Sequence, residues 1–410
     1  MADLRPFAAL RPRPDLAARL CELPYDVLST AEARGLAADN RFSFFHVSKP
    51  EIDLPAGTEP EAPGVYVQGR RNLLRLIADG ALVRDARPGY YLYRQVMGAH
   101  AQTGLVAVAS CDEYRQGIIR KHELTRPDKE DDRLRHMEAL NAQTGPAFLI
   151  YRSVPELDGF VRQRSGAPPA IDFTAVDGVR HSAWVIDDEA GIAFVQSATS
   201  RVPRLYIADG HHRTAAAARV CRSRQGIGGS SHFLAVAFPH DQLQVLPYHR
   251  VLKDLNDHTP GALLDRLNTG FETVEAETPP LPRPHEVGLY LDHRWHCLRF
   301  RAALVQSADA IEALDVSLLQ RHALAPVFGI ENPRTSRRLG FVGGIRGVGE
   351  LERLVDDGEF ACAFALCPTR VEDLMAIADA GGLMPPKSTW FEPKLRDGMF
   401  CHALAEPAEG

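Results

Sequence analysis

Along the first 94 residues, apolar positions recur at helical spacing between turn-rich stretches. In "LSTAEARGLAADN", Ser29 or Thr30 caps a run of good helix formers. "VYVQGRRNLLRLIADGAL" puts Val65, Leu73, Leu74 and Ile77 on one helical face, with Gly80 at its end. Between them "EIDLPAGTEPEAPG" reads as a turn-rich, exposed connection. From "GYYLYRQVMG" onward the period changes, and "YYLYRQVM" and "TGLVAVAS" predict a hairpin. "RPDKEDDRLRHMEALNAQ" predicts a charged helix with Leu134, Met137 and Leu140 as its apolar stripe. "AFLIYRS", "RLYIADG" and "HFLAVAFP" predict strands, the last apolar enough to be central in its sheet. "AWVIDDEAGIAFVQSA" reads as a hairpin around "DDEAG", and "HHRTAAAARVCRSRQ" as a helix.

After about Asp254 the texture shifts. "TPPLPRPHE" is a Pro-rich connector, two strands follow in "EVGLYLD" and "RWHCLRFR", and the last few residues, after "MFCHALAEP", read as frayed. The expected division is an N-terminal α/β segment over 1–94, a core segment over 95–254 and a C-terminal α/β domain over 255–410. The expected class is α/β in the mixed α+β sense, with irregular rather than strict βαβ alternation.

Composition narrows the function classes. The 410 residues are 45% hydrophobic and 24% charged, with a formal net charge of −6. An acidic balance argues against a general nucleic-acid binder. No apolar run reaches the roughly 18–20 residues of a membrane span, and the N-terminus lacks an apolar signal core. A cytoplasmic protein with no membrane or nucleic-acid partner is expected. The seven cysteines are odd in number and lack C-x-x-C spacing, which speaks against a disulfide framework or a structural zinc site.

The densest candidate chemistry lies in "YIADGHHRTAAAARV", Tyr206 to Val220. Asp209 falls where a helix cap belongs, with its carboxylate in reach of the His211 or His212 N–H. Gly210 lets a ligand approach the backbone. The helix start aims free N–H groups and partial positive charge at that point, and Arg213 adds a planar donor fork suited to phosphate. Together with Thr214 these make an anion site. The alternative is a capped helix with solvated His and Arg side chains. Two adjacent His residues point about 100° apart on a helix, which weakens a metal reading based on that pair.

This stretch resembles the phosphate-binding motif of the ParB/sulfiredoxin fold, which has Gly-Cys-His-Arg in sulfiredoxins and a Gly-Glu-Arg-Arg type sequence in ParB proteins. Here it is Gly210-His211-His212-Arg213, so sulfiredoxin's reactive cysteine is replaced by His211. The Asp-Gly-His form looks most like the free-serine kinases of this fold, in which the matching Asp takes part in phosphoryl transfer to the serine hydroxyl. The whole chain resembles a bacterial and archaeal family known as a domain of unknown function, through "PYDVLSTAEARGLA", "KHELTRPDKEDDRLRH", "YIADGHHR", "LPYHRVLKDL", "FVGGIRG" and "PPKSTWFEPKLRDGMF". The resemblance implies a ParB/sulfiredoxin-like core and a small-molecule kinase.

Two further stretches carry candidates. Transfer to an alcohol needs a base and a cluster of charge to neutralise phosphates. In "RKHELTRPDKEDDRLRH", Glu123 lies at a strand end after Lys121 and His122, and Arg126 and Lys129 read as sitting in the loop ahead of the next helix. Asp131, Asp132 and Arg135 read as a solvated helix face. The serine kinases of this fold have a catalytic Glu, and Glu123 is the candidate for that role. In "MPPKSTWFEPKLRDGMF", Pro386 stands where a P-loop needs Gly, so a Walker motif is rejected. Lys387, Ser388, Thr389 and Lys394 remain candidates to line a phosphate or carboxylate pocket. "FVGGIRG" does not fit a dinucleotide fingerprint, and Gly343 and Gly344 read as a tight turn.

The expected function is phosphoryl transfer to a small-molecule hydroxyl, with free L-serine as the leading acceptor and ATP, ADP or pyrophosphate as donor. Asp209, Glu123 and His212 are the catalytic candidates. Gly210, His211, Arg213, Thr214, Arg126, Lys129 and His122 are the phosphate-binding ones. Mg²⁺ is expected as cofactor, held by one or two protein carboxylates, with Asp209 the candidate ligand and Glu123 the alternative, and a homodimer stays open. The alternatives are a ParB-like nucleotide-binding switch or partner-binding module, and a hydrolase of phosphate esters or nucleotides.

Overall fold

Capping, periodicity and strand patterning place most elements near where the sequence predicts them. The structure is a computed structural model that describes residues 2–307 and 309–404. The frayed terminus expected after 407 lies outside the described residues. The chain is mixed α+β and divides into two units, one of Met1–Leu243 with Pro393–Gly410 and one of Gln244–Glu392. This differs from the expected three segments. The N-terminal strand Leu4–Arg5 pairs into the same sheet as His100–Ser110, so 1–94 is no separate body. Residues after Pro393 return to the first unit.

The first unit is built on a mixed sheet of nine strands among the described residues. Its order is Ile119–Arg120, Leu205–Asp209, Ala147–Tyr151, His232–Pro239, His100–Ser110, Tyr90–Met97, Arg180–Ile186 and Ile171–Thr174, with Leu4–Arg5 alongside His100–Ser110. Tyr90–Met97 and His100–Ser110 form the expected hairpin. His232–Pro239 is buried at every position and lies between a parallel and an antiparallel neighbour, as its unbroken apolar run requires. The expected hairpin around "DDEAG" is instead a strand, Arg180–Ile186, followed by a helix, Glu189–Thr199. The Asp188 carboxylate accepts the Gly191 N–H at 2.8 Å, so a side-chain cap turns the chain where alternation suggested a second strand.

Two helices refine the sequence reading. Thr30–Ala37 starts with a capping box between Ser29 and Glu32. Pro63–Ala78 buries Val65, Gly69, Leu73 and Leu76 and leaves Leu74 and Ile77 exposed, a correction of one position to its apolar face. The helix Pro127–Leu140 buries Asp132, Arg133 and His136 beside Met137 and Leu140. Asp132 is thus not a solvated residue: it accepts hydrogen bonds from the Tyr66 hydroxyl at 3.0 Å and from Arg133.

The second unit holds a six-stranded sheet in the order Phe271–Ala276, Arg294–Phe300, Glu286–Leu291, Cys362–Leu366, Tyr248–Leu252 and Leu339–Gly343. Its neighbours are antiparallel throughout. Among the described residues no helix is long and apolar enough to cross a membrane.

Candidate functional site

The strand Leu205–Asp209 runs parallel to Ile119–Arg120 and antiparallel to Ala147–Tyr151. Its register with Ala147–Tyr151 shifts between Ile207 and Asp209, a local irregularity of the kind that re-aims side chains at a strand end. Gly210 follows with φ 91°, a conformation that suits glycine. The helix His211–Ser223 then begins. Gly210, not Asp209, occupies the cap position, and no side chain caps the helix. Asp209 Oδ1 accepts only its neighbour's N–H, that of Gly210, at 2.7 Å, while Oδ2 accepts from Lys394 Nζ at 3.0 Å. Drawn back by Lys394, the carboxylate leaves the first turn of the helix without a capping oxygen, and the partial positive charge there is available to an anion.

Charge is concentrated behind this junction. Arg213 is 7% exposed, donates Nη1 to the Pro146 carbonyl at 2.7 Å and holds Nη2 3.8 Å from Asp209 Oδ1. Burial works to raise the Asp209 carboxyl, but the charges of Lys394 and Arg213 outweigh it and hold the group below the usual carboxylate range. Asp209 is therefore ionised and a weak base. Asp397 behaves oppositely. Burial and the nearby Asp26 push it up to about 7, against the pull of Arg213 and Arg133. Its Oδ1 has no hydrogen-bond partner among the described residues. A small cavity of about 20 Å³, large enough for one water, is lined by Asp397, Arg213, Arg133, Tyr25, Thr144 and Gly145, among others.

The histidines divide by role. His212 Nε2 accepts the Arg126 N–H at 3.1 Å and so ties down the residue that precedes the helix Pro127–Leu140. His122 and His211 are 2% and 6% exposed, and their rings meet edge-to-face with centroids 4.5 Å apart. Burial lowers His122 to about 4 and His211 well below the ordinary imidazole value, so both rings are neutral. Glu123 is half-buried beside them, in the loop after Ile119–Arg120.

The other sequence candidates lie as follows. Arg126 pairs with Asp128 at 2.7 Å and Lys129 with Glu61 at 3.3 Å, both in exposed ion pairs. Thr214 is buried and donates its hydroxyl to the Gly210 carbonyl at 3.0 Å. Lys387, Ser388 and Thr389 belong to the second unit, apart from Lys394 in the division of the chain. Ser388 donates its hydroxyl to the Pro385 carbonyl at 2.7 Å, and Lys387 Nζ lies 5.5 Å from the centre of the Tyr248 ring. Asp209, Gly210, Arg213 and Lys394 are brought together, and so are His122, Glu123 and His211. Asp397 and Arg133 were missed by sequence reasoning. Neither "KLRDGMF" nor "DDRLRH" differs locally from an exposed charged stretch, so the sequence carried no signal for either residue.

Mg²⁺ at Asp209 does not fit this arrangement. Lys394 and Arg213 already place two positive groups against the carboxylate, and a hard cation would have to displace the ammonium.

A mixed α+β protein whose helix start carries a glycine cap and a buried arginine is thus the class defined by fold and site. Residues 4–317 match the model of a family described as a protein of unknown function (DUF1015), and the chain belongs to that family. No curated protein matches it. Among solved structures it is similar to a free serine kinase in complex with AMP, at 14% identity and a TM-score of 0.36 over 70% of this chain and 86% of that one. It is also similar to a conserved hypothetical protein from Pyrococcus furiosus, at 12% identity and a TM-score of 0.35 over 72% and 93%. A C-terminally truncated SbnI from Staphylococcus aureus gives 10% identity and a TM-score of 0.38 over 71% and 85%.

Proposed function

We propose that the protein is a phosphotransferase that acts on the hydroxyl of a small molecule, with free L-serine as acceptor and ATP, ADP or pyrophosphate as donor. The observation that carries this reading is the uncapped start of the helix His211–Ser223, backed by the buried Arg213 guanidinium. Backbone N–H groups and a fixed cation suit a phosphate. Lys394 adds a second positive group 3.0 Å from Asp209, so the developing charge of a transferring phosphoryl group can be met from two sides. Asp209 then positions Lys394 and Arg213 rather than removing a proton, because two cations keep it ionised. Glu123 is the candidate base in the metal-free protein. The choice of serine rests on the Asp-Gly-His resemblance to free-serine kinases.

Phosphorus NMR of the protein incubated with L-serine, each donor and Mg²⁺ tests this. A new phosphomonoester resonance is expected. Free phosphate alone would replace the reading with a hydrolase, and an unchanged but bound donor with a nucleotide-binding switch.

A further inference from the structure

The loop after Ile119–Arg120 and the start of the helix His211–Ser223 meet because their preceding strands pair in parallel, Ile119 opposite Leu205 and Arg120 opposite Tyr206. Both segments therefore leave the sheet at the carboxyl ends of neighbouring parallel strands, where α/β sheets place their ligands. Three donor side chains converge there. His122, Glu123 and His211 each offer one ligand atom, and these atoms lie within 4.8 Å of one another. Among the described residues this is the one group of three or more His, Cys, Asp or Glu side chains with metal-ligand spacing.

A second observation concerns the nitrogens. His122 Nδ1 and His211 Nε2 are buried and have no hydrogen-bond partner among the described residues. A buried polar atom left unpaired costs about 1–3 kcal/mol, so two in contact ask for an explanation. His122 hydrogen-bonds the Ile207 backbone. That bond fixes the ring and leaves its free nitrogen as an acceptor, the arrangement that backs metal-bound imidazoles. The half-buried Glu123 supplies an anionic oxygen and leaves a route from solvent.

We propose that His122, Glu123 and His211 form a binding site for one borderline divalent transition-metal ion of the Zn²⁺ class. Two imidazoles and one carboxylate suit a borderline ion rather than Mg²⁺, which prefers oxygen. Metal–ligand bonds of about 2.0–2.2 Å put tetrahedral ligands roughly 3.3 Å apart. Loading therefore draws the widest pair together by up to about 1.5 Å. The site is distinct from the His211–His212 pair, since His212 Nε2 is occupied by the Arg126 N–H. This inference goes beyond the phosphotransferase reading and does not depend on it. If both hold, the ion engages the candidate base, and added Zn²⁺ slows transfer.

The test uses untagged full-length protein stripped with chelator, titrated with ZnCl₂, MnCl₂, CoCl₂ or MgCl₂ without substrate. One Zn²⁺ per chain is expected, bound at least about 100-fold more tightly than Mg²⁺. Glu123→Gln and His211→Gln are expected to weaken Zn²⁺ at least about tenfold, with circular dichroism confirming that each variant is folded. X-ray absorption at the zinc edge of the wild-type protein needs no variant and should show two imidazoles in the coordination shell. Absence of stoichiometric binding, affinity unchanged in both folded variants, or a zinc shell without imidazole would each overturn the proposal.

Discussion

Gly210 links the backbone conformation of the motif to its chemistry, and Gly210→Ala separates the two. At φ 91° an L-residue sits beyond the usual left-handed well, at a cost of about 1–2 kcal/mol. The added Cβ would also meet Arg213 Nε at 3.2 Å and the Ala147 Cα at 3.3 Å. The arginine can shift by a few tenths of an ångström, but Ala147 is backbone in a buried strand. Such crowding costs a further 1 kcal/mol or so. The total of about 2–3 kcal/mol corresponds to a drop of roughly 4–12 °C in the midpoint of the unit that carries the motif. Differential scanning calorimetry reads this directly. Gly35→Ala serves as the control, because Gly35 lies in the exposed part of the helix Thr30–Ala37 with open space around its Cβ position. It should stabilise the protein by about 0.5–1 kcal/mol. Titration with pyrophosphate should also show weaker binding for Gly210→Ala, since Arg213 is displaced from the helix start. A midpoint within about 1 °C of wild type would refute the reasoning, since the strained turn would then be dispensable. A lowered midpoint with unchanged pyrophosphate affinity would remove the helix start from phosphate binding.

Three other outcomes are expected. Asp209→Asn removes a carboxylate held below its ordinary range, whose stabilisation is present above about pH 4 and lost as the pH falls further. Urea unfolding should show the variant less stable at pH 7, with the difference shrinking on acidification below pH 4, and phosphoryl transfer should be lost. Asp397→Asn has the opposite sign. With a folded value near 7, Asp397 binds a proton more readily in the native state, so its contribution to stability falls as the pH rises from about 4 to about 7. The variant should gain on wild type over that interval in the same assay. Leu73→Ala, at 3% exposure, should cost about 2–5 kcal/mol, whereas Leu74→Ala, at 53% exposure, should stay within about 0.5 kcal/mol by chemical denaturation.

Much of the secondary structure was legible because its causes are local. Ser29 and Glu32 cap a helix three residues apart, the run "FLAVAF" has no polar position to expose, and Gly210 can take the φ its turn needs. The hairpin misread at "DDEAG" shows the limit of alternation when a neighbouring aspartate can cap instead. The candidate anion site was visible in the same way, as a strand end, a glycine and an arginine within five residues.

Burial and partnership were not legible, because they arise from pairing between distant segments. Lys394 reaches Asp209 only when the C-terminal stretch returns to the first unit, and that contact moves Asp209 from a cap to the anchor of two cations. The same return buries Asp397 next to Arg213 and raises its carboxyl. Parallel pairing of two short strands, one of only two residues, brings His122 and Glu123 to His211. By itself the sequence determined where most elements begin and end, and it marked the strand–glycine–arginine junction at 209–213 as the candidate anion site. The tertiary structure alone decided which charges and nitrogens face one another, since those encounters depend on strand order and on burial that no local pattern records.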